Sequence, residues 1–404
     1  MTVVNAPQDT GFGPRIPARL CQSKSSIDIR AESPYHYTAI AFVAAARGKE
    51  QVLATTAAYI IVFTLALGLA LLLVPVARSL ALRYGIVARP GGRRTTEGDL
   101  RRVPKLGGIV LFGSFVPAVL VAQMLPVPRM DRYEVVRLTG LLIGALITFI
   151  LGLLDDRYDL KPFWQFMGQY LAASVAIVFQ IFIEFFNNPF TGQQTDPWPY
   201  IVTVTITFFW LIGMMNTVNW LDGLDGLAAG VAFIAGAMLF INSAFQVEPP
   251  QTSVSLLPLA LMGTSLGFLL HNFYPTRIYM GGGAYFLGYV LGALSIIGGA
   301  KMATILLVMG LPLLDAVWQV VNRIAHGKSP FFGDRGHIHF RLLDMGLSQR
   351  QIVLVYYAFC AFFGMLTLII ESRLYKFIAF GVMAGVVAAG FIALLRAERR
   401  SSRS

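Results

Sequence analysis

From about residue 56 onward the chain alternates long apolar runs with short polar segments. Uncharged stretches such as Tyr59 to Ala77, Leu138 to Leu154 and Phe377 to Leu395 approach the roughly 20 residues that a helix needs to cross about 30 Å of hydrocarbon. The pattern predicts eleven such helices, at about residues 56–77, 106–125, 138–154, 164–184, 199–215, 226–246, 255–271, 283–300, 302–321, 351–371 and 377–395. The expected fold class is therefore all-α, a polytopic membrane helical bundle. Residues 1–52 are mixed and polar, carry Pro7, Pro14, Pro17 and Pro34 and show no sustained period, which predicts a flexible N-terminal extension. A transmembrane catalytic domain is expected over residues 53–396 and a basic tail over 397–404. The apolar segment Ala39 to Ala46 is too short and too far from the start to read as a secretory signal.

Composition narrows this picture. With 56% apolar and 13% charged residues and a mean hydropathy of +0.66, the chain has too little polar surface to cover a water-soluble globule. Its formal charge of +11 could point to nucleic acid, but the carriers sit in short loops beside apolar spans. There, Lys and Arg set topology and meet anionic lipid or phosphate, so the membrane is the expected partner and nucleic acid is not. Cys21 and Cys360 provide neither a disulfide framework nor metal-ligand spacing.

The basic residues also choose an orientation. Placing the loop after the first span inside puts twenty Lys and Arg on the inner side and six in the outer loops. The six of residues 1–52 then lie outside, mildly against the rule. Asp155 to Arg157, Asn216 to Asp225, His271 to Gly283 and Asn322 to Gly346 all fall on the same inner side. The charge count did not require that, and it predicts one reactive face turned to the cytoplasm.

Paired acids at the end of an apolar span repel each other and are costly to ionise there, penalties that a divalent cation relieves. Asp155 and Asp156, in LGLLDDRYDLKP, therefore read as a metal or phosphate site in which one acid can serve as base or nucleophile. The plainer reading is a solvated helix end paired with Arg157 and Lys161. In MNTVNWLDGLDGLAAG, Asn216, Asn219, Asp222 and Asp225 recur every three residues, so a helical stretch would align them roughly on one face. Amides that donate and accept, beside carboxylates that only accept, suit a nucleobase, ribose hydroxyls or hydrated Mg²⁺. The sequence GKSPFFGDRGHIHFRLLDMGLS sets His337 and His339 beside Asp334, Arg335 and Arg341, a group able to neutralise a diphosphate. Two histidines at i and i+2 do not share a helical face, which disfavours a helix-borne zinc pair.

The runs LGLLDDRYDLKP, NTVNWLDGLDGLAAG, HNFYPTRIYMGGGAYFLG, PLLDAVWQVVNR and DRGHIHFRLLDMGLS, in this order, resemble the polyprenyl-phosphate N-acetylhexosamine-1-phosphate transferases over about residues 56–350. The resemblance implies a bacterial inner-membrane enzyme that starts cell-envelope glycans such as lipopolysaccharide or teichoic acid. It would move a sugar 1-phosphate from a UDP-sugar such as UDP-GlcNAc to undecaprenyl or another polyprenyl phosphate, releasing UMP with Mg²⁺, or Mn²⁺, as cofactor. By the same resemblance, Asp155 and Asp156 engage the lipid phosphate, and Asn216, Asn219, Asp222 and Asp225 serve nucleotide and metal. Asn272 and Tyr279 fall where the family contacts uridine, and Asp315 and Arg323 match a run near the ninth span. His337, His339 and Arg341 match the histidine loop that meets phosphate and sugar. A homodimer is compatible with the family. The HIH form is closer to the N-acetylhexosamine branch than to the phospho-MurNAc-pentapeptide branch.

Three segments depart from the family pattern. Met280-Gly281-Gly282-Gly283 stands where relatives read MGDGG or MGDSG, so an acid is missing; Ala88 and Thr96 stand where Asp and His are common; Phe340 replaces a second adjacent histidine. These departures define a second reading, a catalytically impaired relative that binds lipid phosphate or a partner. A transporter fits less well, because its ionisable residues would lie near the bilayer midplane and repeats would be expected.

Overall fold

The computed structural model describes residues 34–88, 103–129, 131–297, 302–327 and 336–401, with side chains among them from Glu50 to Arg396. Most of the 1–52 extension, Thr96, Asp334, Arg335 and the end of the 397–404 tail lie outside the described residues or side chains. The chain divides into two compact units, Met1–Glu50 and Gln51–Ser404, and the elements bearing on function all belong to the second. In chain order the helices are α1 (Pro34–Arg83), α2 (Gly107–Met124), α3 (Glu134–Tyr158), α4 (Pro162–Val178), α5 (Tyr200–Leu221) and α6 (Leu227–Ile241), which runs into a π-helical turn at Asn242–Gln246. There follow α7 (Thr252–Asn272), α8 (Gly283–Ile296), α9 (Met302–Val308), α10 (Gly310–Ala325), α11 (Ile338–Asp344), α12 (Gln349–Ile369) and α13 (Arg373–Ser401). No strand forms among the described residues beyond isolated bridges at Val87–Pro104 and Asn187–Gln194.

The class is all-α as expected, but the count of eleven spans is reduced. Among the described residues eight helices are long and apolar enough to cross a membrane, and α9 with α10, bent by 76°, makes a ninth if taken as one span. The other two predicted spans fall on α4, of 17 residues, and α8, of 14. At 1.5 Å per residue α8 is only about 21 Å long. It is apolar for another reason: every residue from Gly283 to Ser295 is buried in protein. Hydropathy cannot separate a helix wrapped by protein from one wrapped by lipid.

Small residues let α8 sit this deep. Gly152 of α3 and Gly282 meet backbone to backbone, so that a Cβ on either would overlap the other. Gly144 lies under the Tyr289 ring, whose hydroxyl donates to the Gly140 carbonyl at 2.9 Å. Such close approach replaces the hydrophobic driving force that lipid does not supply. At α10, Pro312 falls in the first turn, where its missing N–H costs no helical hydrogen bond. Asp315, Gln319 and Arg323 recur every four residues on the buried face of α10, while Val317, Val321 and Ile324 are exposed. This helix is polar inward and apolar outward, as a membrane helix lining a reactive site should be.

Candidate active site

One end of the bundle gathers the C-termini of α3, α5 and α7 and the N-termini of α2, α6, α8 and α11. Asp156, near the end of α3, accepts a hydrogen bond from the Gly282 N–H with both carboxylate oxygens, each at 3.1 Å. The carboxylate thereby caps α8, whose first residues lack a side-chain cap of their own. Asp155 accepts from the Leu160 N–H at 3.1 Å and from Gln165 Nε2 at 2.8 Å. Asp222 lies close enough to Asp156 for the two carboxylates to act on each other electrostatically, and Lys105 acts on Asp155 and Asp156.

The Asn-Asp run is not one helical face. Helix α5 ends at Leu221, Asp222 is its C-cap, and Gly226 turns the chain with φ +83° into α6. Asn216 therefore stays inside α5 and donates to Gln169 Oε1 of α4 at 2.7 Å and to the Ile212 carbonyl. Asn219 is half-buried in the last turn of the helix. Asp225, within the turn, accepts from the Thr276 N–H at 3.2 Å. Asn272 accepts from the Gly226 N–H at 3.1 Å and donates to the Ile278 carbonyl at 2.9 Å. Asp225 and Asn272 thus tie the 273–278 loop to the start of α6. Tyr279 exchanges backbone hydrogen bonds with Pro104 and Gly107, fixing the same loop to the start of α2.

His337 and His339, at the start of α11, pack against the Asn-Asp run. His337 Nδ1–H donates to Asp315 Oδ2 at 2.9 Å, while Asp315 Oδ1 accepts from the Ile338 N–H at 3.2 Å. His337 Nε2 is buried and has no hydrogen-bond partner among the described residues. The His337 ring lies 5.7 Å from Trp220 and 5.6 Å from the nearly parallel His339 ring. A Cβ on Gly223 would overlap His339. Arg323, almost fully buried, stacks over Trp220 at 5.6 Å. Arg341 Nε and Gln319 Nε2 both donate to the Gly336 carbonyl, holding the loop where it reaches α11.

The predicted residues therefore converge: Asp156 meets Asp222 electrostatically, and Trp220 and Gly223 of the same run meet His337 and His339. Four participants were not singled out from the sequence. Gln165, Gln169 and Gln319 are lone amides within apolar helices, though Gln165 with Gln169, and Asp315 with Gln319 and Arg323, carry the four-residue spacing of one helix face. Lys105 was one of eight basic residues in its loop and carried no distinguishing signal.

The profile of glycosyl transferase family 4 matches residues 138–299, from the start of α3 through α8. The Bacillus subtilis (strain 168) protein named probable undecaprenyl-phosphate N-acetylglucosaminyl 1-phosphate transferase is 30% identical over 321 residues, covering 78% of this chain and 85% of its own. The chain belongs to glycosyl transferase family 4. Other family members it resembles are the decaprenyl-phosphate N-acetylglucosaminephosphotransferase of Mycolicibacterium smegmatis and a phospho-N-acetylmuramoyl-pentapeptide-transferase of Listeria monocytogenes serotype 4b. The first is 31% identical over 69% of this chain and 74% of its own, and the second 30% over 68% and 86%.

The Met280 to Gly283 loop packs tightly against α3 and the start of α2. Gly281 has φ +58°, and a Cβ there would overlap the Asp156 carboxylate. Replacing Gly282 by alanine is expected to push α3 and α8 apart and break the Asp156 cap. The expected result is a clearly lowered melting temperature in detergent, with activity reduced at least about tenfold. Melting at the wild-type temperature would contradict the tight approach of Gly152 and Gly282.

Proposed function

We propose that this chain transfers N-acetylhexosamine 1-phosphate from a UDP-sugar to a polyprenyl phosphate at the cytoplasmic face of a bacterial inner membrane, releasing UMP. The observation that carries the reading is the meeting, at one end of the bundle, of the α3 acids, the Asn-Asp run and the Asp315-supported histidine loop. Carboxylates on one side and imidazole and guanidinium groups on the other are what a phosphoryl transfer between two anions requires.

In the reaction an oxygen of the acceptor phosphate forms a bond to the donor's β-phosphorus. The bond from that phosphorus to the bridging oxygen breaks, and the bridging oxygen leaves with UMP. Asp156, held by Gly282, positions the acceptor phosphate and accepts its proton. His337, fixed through Nδ1 by Asp315, presents Nε2 to the diphosphate, and Arg323, Arg341 and His339 add to the donor-side charge.

Among the described residues no three His, Cys, Asp or Glu side chains form one metal cluster. Mg²⁺ is usually bound by one or two carboxylates with water and substrate phosphate completing its shell. Asp222 at the end of α5, with Asn219 in the turn before it, would hold such an ion, which would also relieve the repulsion between Asp222 and Asp156; Asp225, expected to share it, is taken up by the Thr276 N–H. When bound, such an ion neutralises charge on the diphosphate.

The second reading, an impaired relative, is favoured by the missing acid at the Met280 to Gly283 loop. One assay separates the two. Purified protein given UDP-GlcNAc, Mg²⁺ and undecaprenyl phosphate is expected to release UMP, and release should stop when undecaprenyl phosphate is omitted. Release no faster than without acceptor, across several UDP-sugars, refutes the transferase reading.

A further inference from the structure

We infer that Lys105 is the cation that receives the phosphate of the lipid acceptor. This rests on the transferase reading above and adds a residue to that site. The main chain around Lys105 is fixed: its N–H donates to Ile86 at 3.1 Å, and the flanking Pro104 carbonyl accepts from the Tyr279 N–H at 2.8 Å. Its own carbonyl and the Asp156 carboxylate both border Gly281, which places the base of the side chain beside the α3 acids. From there Nζ reaches to 3.8 Å from Asp159 Oδ1, and its charge acts on Asp155 and Asp156.

The Lys105–Asp159 pair is a loose one. A separation of 3.8 Å is at the outer edge of an ion pair, and the Asp159 side chain is 58% exposed, so water takes it up readily when Lys105 turns away. Asp155 is engaged by Leu160 and Gln165 and Asp156 by Gly282, so an arriving phosphate can exchange for Asp159 without breaking those bonds. A phosphate beside these carboxylates needs a compensating positive charge, and the Lys105 side chain, 28% exposed, is open to it. Among the described residues, Arg323 with the imidazoles of His337 and His339 gathers around Trp220 and Gly223, whereas Lys105 stands with the α3 acids. Two separate groups suit two phosphate substrates, the buried one serving the donor diphosphate and Lys105 the acceptor.

The test is equilibrium binding of undecaprenyl phosphate, with undecaprenol as control, to full-length protein in nanodiscs without donor, so that no turnover is needed. Wild type is expected to prefer the phosphate, Lys105→Met to lose about tenfold or more of that preference, and Lys105→Arg to recover most of it. In turnover, Lys105→Met should raise the KM for undecaprenyl phosphate while the KM for UDP-GlcNAc stays within about twofold. Unchanged phosphate preference in Lys105→Met, or equal rises in both KM values, overturns the inference. A wild type that binds the phosphate through Lys105 yet releases no UMP sinks the transferase reading while upholding the Lys105 site.

Discussion

Replacing Asp156 by asparagine should lower UMP release on the order of 10³-fold while leaving the fold in place. The amide oxygen of asparagine can still accept the Gly282 N–H, so the α8 cap and the contact between Gly152 and Gly282 survive. What disappears is the negative charge, and with it the group that takes the acceptor's proton and faces Asp222 across the site. Turnover measured beside thermal unfolding in detergent checks both halves. A variant that melts like wild type but turns over within tenfold of it would remove Asp156 from the chemistry. A variant that unfolds early would make it a structural residue.

The second large effect is expected at Asp315. Its two carboxylate oxygens serve the imidazole Nδ1 of His337 and the backbone N–H of Ile338, all buried. Leucine at 315 would leave both groups without a partner, at a cost of about 3 kcal/mol or more, since each buried orphan costs roughly 1–3 kcal/mol. It would also release the ring that presents Nε2. Asp315→Leu should therefore lose measurable UMP release and melt well below wild type. Asp315→Asn, which keeps an acceptor for one of the two groups, should melt between them. Comparing the three melting curves and rates checks the prediction, and an Asp315→Leu protein with wild-type stability would mean that the carboxylate does not support the loop.

Much of the architecture could be read from residues alone, for definite physical reasons. Each predicted span falls on a helix or a bent helix pair, because the energetic demand of a lipid surrounding writes a long, uncharged run. The errors came where that demand is absent: α8 is enclosed by protein, and the bend before Gly310 divides what looked like one span. At the site, Asp155 and Asp156 stood out because paired acids at the end of an apolar run are expensive, Asp222 through its three-residue repeat with Asn216, Asn219 and Asp225, and His337 through its place beside Asp334, Arg335 and Arg341. Lys105, Gln169 and Gln319 did not, since one cation in a basic loop or one amide in a helix has an ordinary explanation. Only their neighbours reveal them: Asp159 for Lys105, Asn216 for Gln169 and the Gly336 carbonyl for Gln319. The same is true of Asn272, a family-motif residue whose amide here braces Gly226 and Ile278.

The most direct test is an electron cryo-microscopy structure of the wild-type protein with UDP-GlcNAc and Mg²⁺ bound. The diphosphate is predicted to lie between Asp222 and His337 Nε2, with Asp156 within reach of the β-phosphorus. A nucleotide bound elsewhere, or one that leaves Asp156, Asp222 and His337 too far apart to share it, would contradict the account.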